Sequence, residues 1–176
     1  TTSLLQKDPY LFLNTNGYSA TAKEKAEDIN EMFKDKEVKM IWCAKGGASS
    51  NTTFEYLDYE LIKNNPKILC GFSDITALTN AIYAKTGVIT YSGPHYSSFG
   101  MKKGFEEYTL EYFKKMFLED GEIEVKSSSE WSNDLWFLDQ ENREFIKNEG
   151  MFIINEGEAY GTIVGGNLCT FNLLQG

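Results

Sequence analysis

The chain has 176 residues, 41% of them hydrophobic, which is enough apolar material to bury one substantial core. Its formal net charge of −9 repels phosphate backbones, so a nucleic-acid polymer is not expected as a partner, although a small nucleotide in a pocket is compatible with it. No apolar stretch is long enough to span a bilayer, and the first ten residues lack the pattern of a signal peptide. The composition favours a cytoplasmic protein without a membrane partner.

The three cysteines indicate neither a metal site nor a disulfide framework. They are an odd number, and their spacing matches no metal-ligand motif. Cys43 and Cys70 each end an apolar run, which predicts buried, reduced thiols. Reduced thiols are typical of the cytoplasm, and neither a metal nor an organic cofactor is implied.

The first part of the chain alternates helical and strand patterns. The segment Thr21-Ala-Lys-Glu24 has the form of a capping box and begins a predicted amphipathic helix that reaches Phe33. The apolar run 38–44 predicts a strand. Residues 54–65 predict a second helix, which ends there because the following proline disfavours helix before it.

The same alternation continues to residue 118. A second strand (67–70) and a turn (71–74) precede a third helix closed by Gly87, and a third strand (88–91) precedes a further helix (105–118). Strands and helices that alternate at this spacing predict a parallel sheet with helices on both faces. The predicted fold class is α/β.

The pattern changes after Gly121. Residues 122–126 alternate as an exposed strand does, and 151–154 with 159–164 predict a pair of strands around a tight turn. Gly165-Gly166-Asn167 then begins a helix shortly before the chain stops, which makes the chain look truncated at its C-terminus.

These patterns divide the chain into three parts. Residues 1–120 are interpreted as an α/β domain that carries the nucleophile and lacks its first strand and helix. Residues 121–150 form a linking segment. Residues 151–176 are the truncated beginning of a smaller β-rich domain.

Ser73 is the strongest candidate for a catalytic residue. It lies between a predicted strand and a helix, at the carboxyl edge of the sheet, where open α/β sheets place their ligands. A hydroxyl there stands beside unpaired helix N–H groups, which can stabilise a developing oxyanion. The alternative is that Ser73, which precedes Asp74, only caps the helix. The segment is not a full Gly-x-Ser-x-Gly elbow, so both roles stay open.

Gly46 and Gly47 follow the neighbouring strand and are expected at the same edge of the sheet. Glycines there let the backbone approach a ligand and offer N–H groups that no side chain obstructs. An ordinary strand-to-helix turn is the alternative. Phosphate binding is a weaker one, because residues 45–50 match neither the P-loop nor the dinucleotide fingerprint.

His95 is the only histidine, and a serine hydrolase generally needs a base for its nucleophile. It follows the third predicted strand and could reach the same rim as Ser73. A lone histidine is more often a hydrogen-bonded structural residue, and Asp74 is more typical of a carboxylate at a helix N-terminus than of a base. The chain therefore shows a candidate nucleophile without a convincing base.

Trp131 and Trp136 stand in a polar segment that does not obviously require buried aromatic rings. Exposed aromatic side chains can stack on bases or sugars. The alternative is that they pack over the edge of the sheet. From the residue pattern alone, packing over the sheet edge is the favoured role.

A series of short motifs follows one another along the chain: Gly17-Tyr-Ser-Ala20, Ala26-Glu-Asp-Ile-Asn-Glu-Met-Phe33, Gly46-Gly47, Ser50-Asn51, Leu57-Asp-Tyr59, Asn65-Pro-Lys67, Gly71-Phe-Ser-Asp-Ile-Thr-Ala-Leu78, Ser92-Gly-Pro-His95, Trp131-Ser-Asn-Asp134 with Trp136, and Gly165-Gly-Asn-Leu168. Together they resemble the LD-carboxypeptidase family, and more closely its microcin C self-immunity branch. Because the resemblance spans nearly the whole chain in the right order, it is more specific than any single motif.

The resemblance implies a flavodoxin-like α/β domain followed by a smaller β-rich domain, in a serine peptidase with a Ser–Glu–His triad. It implies that Ser73 is the nucleophile and that the N–H groups of Gly47 and Asp74 form the oxyanion hole, with Gly46 beside the substrate. Substrates are murein tetrapeptides in one branch and an amide-linked peptidyl- or aminoacyl-nucleotide in the other. In that second branch aromatic side chains stack on the base. The resemblance implies this role for Trp131 and, less directly, for Trp136.

The chain also departs from the family pattern. The family's Glu and His lie downstream of the Gly-Gly-Asn-Leu motif, and no residue here matches either of them. His95 aligns with a segment that does not contain the triad histidine, and Lys45 stands where the carboxypeptidase branch often has arginine. We therefore predict that this chain alone is inactive or nearly so. A homodimer is one option for its oligomeric state.

Two further interpretations remain open at this point. The chain could be a non-catalytic module that binds a nucleotide or a peptide at the same sheet edge. A flavodoxin-like flavin-binding protein is the other, and it would be recognised by a yellow colour after purification, which we do not expect.

Overall fold

The structure is a computed structural model that describes residues 20–101, 106–135 and 137–175. They cluster in two compact units. The described residues up to Tyr96, together with those from Val164 onward, form the first unit, and Ser97–Ile163 form the second. The domain division at residues 120 and 150 stays a prediction.

The first unit contains a parallel sheet of three short strands, β1 (Met40–Trp42), β2 (Ile68–Gly71) and β3 (Tyr91–Ser92). Their order in the sheet is β1-β2-β3. Ile41 pairs with Leu69, and Cys70 pairs with Tyr91. Parallel strands joined through helices define an α/β fold, so the predicted fold class is confirmed. All three strands end at one edge, where Gly46, Gly47 and Ser73 follow β1 and β2.

Two helices of this unit follow the sequence pattern closely. Helix α1 (Ala22–Lys34) begins with the predicted capping box, in which the Thr21 N–H donates to a Glu24 carboxylate oxygen at 2.8 Å. Helix α3 (Ile75–Thr86) ends at Gly87, whose φ of +74° is the left-handed conformation that favours glycine at a helix C-terminus.

The single helix predicted over residues 54–65 is two elements. A 3-10 helix (Ser50–Tyr56) is followed by α2 (Tyr59–Asn64). The break arises at Asp58, whose carboxylate accepts a hydrogen bond from the Leu61 N–H at 2.9 Å and begins α2. The extended Leu57 just before it is buried and contributes to the core.

The core of the first unit lies between the sheet and helices α1 to α3. Burial of these apolar side chains is the main stabilising term, because each removes hydrocarbon from water. The buried members are Ala26, Phe33, Ile41, Leu57, Ile62, Leu69, Leu78, Ile82 and Val88. This packing fixes β2 and α3, which hold the candidate nucleophile between them.

Cys70 is buried, Cys43 is partly buried, and both are free thiols. Burial raises the pKa of the Cys43 thiol to about 12 and that of Cys70 to about 11. The thiolate forms are thus suppressed, as expected for structural cysteines.

The second unit contains helix α4 (Glu107–Leu118) and a small antiparallel pair of strands, β4 (Glu130–Trp131) and β5 (Ile146–Lys147). The strand predicted over residues 122–126 is absent there. Instead, the Tyr112 hydroxyl of α4 accepts from the Lys126 N–H and donates to the Glu124 carbonyl oxygen.

The strands predicted over 151–154 and 159–164 are not formed either. Within the described residues this segment has no strand partner, and its apolar side chains are exposed, as for Phe152 at 89% and Ile163 at 97%. A strand needs a neighbour to pair its N–H and C=O groups, so alternation alone did not suffice. Helix α5 (Leu168–Asn172) does begin at the predicted position, with the Asn167 side chain accepting from the Thr170 N–H at 3.0 Å.

Candidate active site

Ser73 lies on the turn between β2 and α3 in a strained conformation. Its φ is +59°, and it is the one non-glycine residue with a positive φ among those the structure describes. A left-handed backbone costs an L-residue about 1–2 kcal/mol, and such strain is concentrated at functional sites. A sharp, strained strand-to-helix turn is also how enzymes of the α/β-hydrolase fold present their nucleophilic serine.

The alternative role of Ser73 as a helix cap is not what the structure shows. The residue in the N-cap position of α3 is Asp74, and the Ser73 hydroxyl makes no hydrogen bond to any described residue. Its side chain is only partly buried. The hydroxyl thus lies at the carboxyl edge of the sheet without a partner in the described part of the chain.

The Gly46-Gly47 loop after β1 lies against this turn, as expected. A Cβ placed on Gly46 would stand 3.1 Å from Ser73 Oγ and 3.3 Å from His95 Cε1, and one on Gly47 would stand 3.4 Å from Asp74 Oδ2. A side chain at Gly46 would therefore crowd the hydroxyl. The missing side chain keeps the approach to Ser73 open.

Two backbone N–H groups beside Ser73 are free to bind an anion. In the described part of the chain, neither the Gly47 N–H nor the Asp74 N–H has a hydrogen-bond acceptor. The Asp74 N–H also lies at the N-terminus of α3, where the helix dipole favours negative charge. Free N–H donors of this kind are what an oxyanion hole requires.

The Asp74 carboxylate has partners of its own across the loop. Its Oδ2 accepts hydrogen bonds from the Ser49 N–H at 2.9 Å, from the Ser50 N–H at 2.9 Å and from the Ser50 hydroxyl at 2.7 Å. Sequence reasoning missed these contacts. The adjacent serines after Gly46-Gly47 were the available signal, since serine hydroxyls and loop N–H groups commonly seek a carboxylate.

His95 lies beside Ser73 but is engaged elsewhere. It is 4% exposed, its ring stacks on Phe72 with centroids 3.9 Å apart, and its Nε2 lies 3.1 Å from the Phe72 nitrogen and 2.9 Å from the Phe72 oxygen. Burial lowers the pKa of His95, while the hydrogen bond to Phe72 acts weakly the other way. The structure thus places a buried histidine, hydrogen-bonded to the Phe72 backbone, close to Gly46 and the turn that carries Ser73.

A second contact joins α3 to the Gly165-Gly166-Asn167 segment. The Asn167 N–H donates to Thr76 Oγ1 at 2.9 Å, and the Asn80 side chain donates to the Gly165 oxygen at 2.9 Å. Gly166 has a φ of +138°, and a Cβ there would stand 2.6 Å from Thr76 Oγ1. Only glycine fits this close approach.

Trp131 belongs to β4 in the second unit and is 42% exposed, which leaves much of its ring available for stacking. Trp136, the other tryptophan predicted to stack, lies outside the described residues. The structure therefore shows an accessible indole ring at Trp131.

Neither metal chemistry nor a membrane span is indicated by the described residues. Within them, no group of three or more His, Cys, Asp or Glu side chains is arranged to hold a metal ion. No helix in that same part of the chain is long and apolar enough to cross a membrane.

Comparison with known proteins identifies relatives over most of the chain. A family model described as the LD-carboxypeptidase N-terminal domain matches residues 4–93. The YocD protein of Bacillus subtilis (strain 168) is 57% identical over 158 residues, which are 90% of this chain and 48% of YocD. The microcin C7 self-immunity protein MccF of Escherichia coli is 34% identical over 165 residues, which are 90% of this chain and 48% of MccF. The chain thus spans about half the length of these curated relatives.

Solved structures agree with the sequence comparison. An MccF-like protein from Bacillus anthracis str. Ames has a TM-score of 0.87 at 55% identity, covering 92% of this chain and 49% of that one. MccF in complex with aspartyl sulfamoyl adenosine has a TM-score of 0.78 at 35% identity, covering 90% of this chain and 50% of that one. The family model alone covers more than half of the 176 residues. The chain belongs to the LD-carboxypeptidase family.

Proposed function

We propose that the protein is a serine hydrolase that cleaves an amide bond, with Ser73 as the nucleophile. The observation that carries this proposal is the Ser73 hydroxyl, which bonds to no described residue and lies on a strained turn at φ +59°, beside the N–H groups of Gly47 and Asp74, which have no acceptor among the described residues either. A helix-capping serine would have its hydroxyl bonded and its backbone relaxed. Membership of a family of peptidases supports the same assignment.

In the proposed reaction the Ser73 Oγ attacks the carbonyl carbon of the substrate amide. The carbonyl oxygen becomes an oxyanion, which the Gly47 and Asp74 N–H groups stabilise by hydrogen bonding. The carbon–nitrogen bond then breaks, and the proton lost by the serine hydroxyl leaves on the amine. Water hydrolyses the resulting ester and restores the serine. No metal or organic cofactor enters any of these steps.

The reaction needs a base, and the described residues offer none near Ser73. His95 uses its Nε2 on the Phe72 backbone, and the Asp74 carboxylate is occupied by two serines. The family resemblance assigns the base to a Glu-oriented His downstream of Gly165-Gly-Asn-Leu168. We therefore expect the chain of 176 residues to be inactive by itself.

The substrate class that the comparisons favour is an aminoacyl- or peptidyl-nucleotide. MccF, a relative with a TM-score of 0.78, is solved with aspartyl sulfamoyl adenosine. The half-exposed Trp131 would stack on the base of such a ligand, with Trp136 as its proposed companion. A murein tetrapeptide, the substrate of the family's carboxypeptidase branch, is the competing substrate.

The test is product analysis by mass spectrometry on the full-length protein and on the present chain. Each receives a murein tetrapeptide and, separately, an aminoacyl-adenylate analogue with a non-hydrolysable phosphate mimic. Cleavage by the full-length protein alone would support the proposal, and the consumed compound would define the substrate class. Cleavage by the short chain would instead make His95 the base.

The matched variants are Ser73→Ala and, as a control, Ser127→Ala at an exposed serine with no role in the site. We expect the first to abolish hydrolysis and the second to leave it unchanged. Hydrolysis that survives Ser73→Ala contradicts the assignment of the nucleophile. Binding without hydrolysis in every variant and in the wild type would identify a non-catalytic module.

The cytoplasmic location and a homodimer stay predictions.

A further inference from the structure

The two candidate oxyanion donors belong to different segments of the chain. The Gly47 N–H comes from the loop after β1, whereas the Asp74 N–H comes from the turn after β2. Donors must lie about 2.7–3.1 Å from the oxyanion to be effective. Something must therefore fix one segment against the other.

The Asp74 carboxylate makes this connection. Its Oδ2 alone accepts three hydrogen bonds, from the N–H groups of Ser49 and Ser50 and from the Ser50 hydroxyl, at 2.7–2.9 Å. These partners stand 24 and 25 positions earlier in the chain. Hydrogen bonds to a charged acceptor are roughly twice as strong as neutral ones, so this is a firm link between the segments.

The link also replaces an ordinary helix cap. Ser49 occupies the N-cap position of the 3-10 helix Ser50–Tyr56, yet its own side chain makes no capping hydrogen bond. The carboxylate from the nucleophile turn takes the free N–H groups at this helix start instead. Gly47 stands two residues before, and a Cβ on it would lie 3.4 Å from the same oxygen. Asp74 thus contacts the loop directly at the residues that follow Gly47.

Resting on the proposed function, we propose that Asp74 is a positioning residue as well as an oxyanion donor. Its carboxylate, bonded to Ser49 and Ser50, sets the separation between the Gly47 and Asp74 N–H groups. The side chain itself does not touch the substrate. Losing it lets the loop drift, and a displacement of about 1 Å can lower the rate on the order of 100-fold.

The experiment uses steady-state kinetics of the full-length protein. Asp74→Ala removes all three hydrogen bonds, Asp74→Asn keeps an oxygen that accepts without charge, and Ser50→Ala removes one bond. We expect the largest loss of kcat, about 100-fold, in Asp74→Ala. The loss should be smaller in Asp74→Asn and smallest in Ser50→Ala. The KM should stay unchanged, because the oxyanion forms only in the transition state.

Asp58→Ala is the matched control. Its carboxylate also accepts a helix N–H, that of Leu61 at 2.9 Å, and it caps α2 away from the site. This variant should have a lower Tm, because α2 loses its N-cap, and should keep its kcat. If Asp74 served only to stabilise the fold, its variants would likewise lose stability and keep their kcat. A wild-type kcat in folded Asp74→Ala or Asp74→Asn therefore overturns the inference.

A rise in KM at constant kcat would also overturn it, since Asp74 would then act on substrate binding. If Asp74→Ala does not fold, the graded losses in Asp74→Asn and Ser50→Ala decide the question. Ser73→Ala in the same assay separates the two proposals. If it retains hydrolysis, the proposed function fails, whereas an inactive Ser73→Ala with fully active Asp74 variants refutes only the positioning role.

Discussion

Replacing Ser73 by glycine should stabilise the fold of this chain, and in the full-length protein it should abolish hydrolysis. At φ +59° an L-residue pays about 1–2 kcal/mol, and glycine pays almost none. Glycine also makes the unfolded chain more flexible, which returns about 0.4–1 kcal/mol. The net gain is about 0–1.6 kcal/mol, and its midpoint of about 0.8 kcal/mol raises Tm by about 2–3 °C for a chain of this size.

The assay is thermal unfolding of Ser73→Gly against Ser73→Ala, followed by circular dichroism. Alanine retains the Cβ and therefore the strain, and the hydroxyl it removes makes no hydrogen bond to a described residue, so its Tm should stay near that of the wild type. At Ser127, an exposed position without a positive φ, glycine should be no more stable than alanine. Equal Tm values for the two Ser73 variants would refute the reasoning, because the turn would then store no strain.

Three further predictions concern neighbouring positions. Gly46→Ala places a Cβ 3.1 Å from the nucleophile hydroxyl and should lower kcat, whereas Gly157→Ala, which meets nothing within 4 Å, should not. Gly166→Ala, at φ +138°, should cost about 1–3 kcal/mol in urea unfolding, against little for Gly165→Ala in open space. Because the pKa of His95 is lowered in the folded state, the unfolded state binds more protons. The free energy of unfolding should therefore fall as pH drops below about 6.5, by at most about 1.4 kcal/mol per pH unit. The fall should level off below the folded-state pKa. His95→Gln should lack that part of the pH dependence, and an identical profile in urea titrations would contradict it.

Local signals in the sequence predicted local structure well. The capping box at Thr21 and Glu24 and the left-handed Gly87 depend on residues within one helical turn of each other, so the pattern contains everything that forms them. The α/β class followed from the alternation of such elements. The split near Asp58 was missed because Leu57 fits the apolar helix face equally well until its partners are known.

The site was predicted in part for the same reason. The edge of the sheet at which Ser73 and Gly46 meet follows from parallel topology, since consecutive parallel strands end on one side. The hydrogen bonds of Asp74 and the stacking of His95 on Phe72 join residues more than twenty positions apart. The periodicity of apolar residues along the sequence does not indicate contacts between residues so far apart in the chain. The pair of strands predicted after residue 150 is not formed for a similar reason, because strand pairing depends on a neighbour that an alternating pattern does not identify.

Helix α3 links the two halves of the proposed mechanism. The helix begins two residues after Ser73. Thr76 in its first turn and Asn80 in its second hold the Gly165–Asn167 segment by hydrogen bonds of 2.9 Å. The resemblance places the missing base downstream of that segment, and Thr76 is buried at 2% exposure, so its anchoring contact is shielded from competing water. A nucleophile and a base supplied from distant parts of one chain require a rigid element in common, and α3 meets that requirement because both attachments lie within its first two turns.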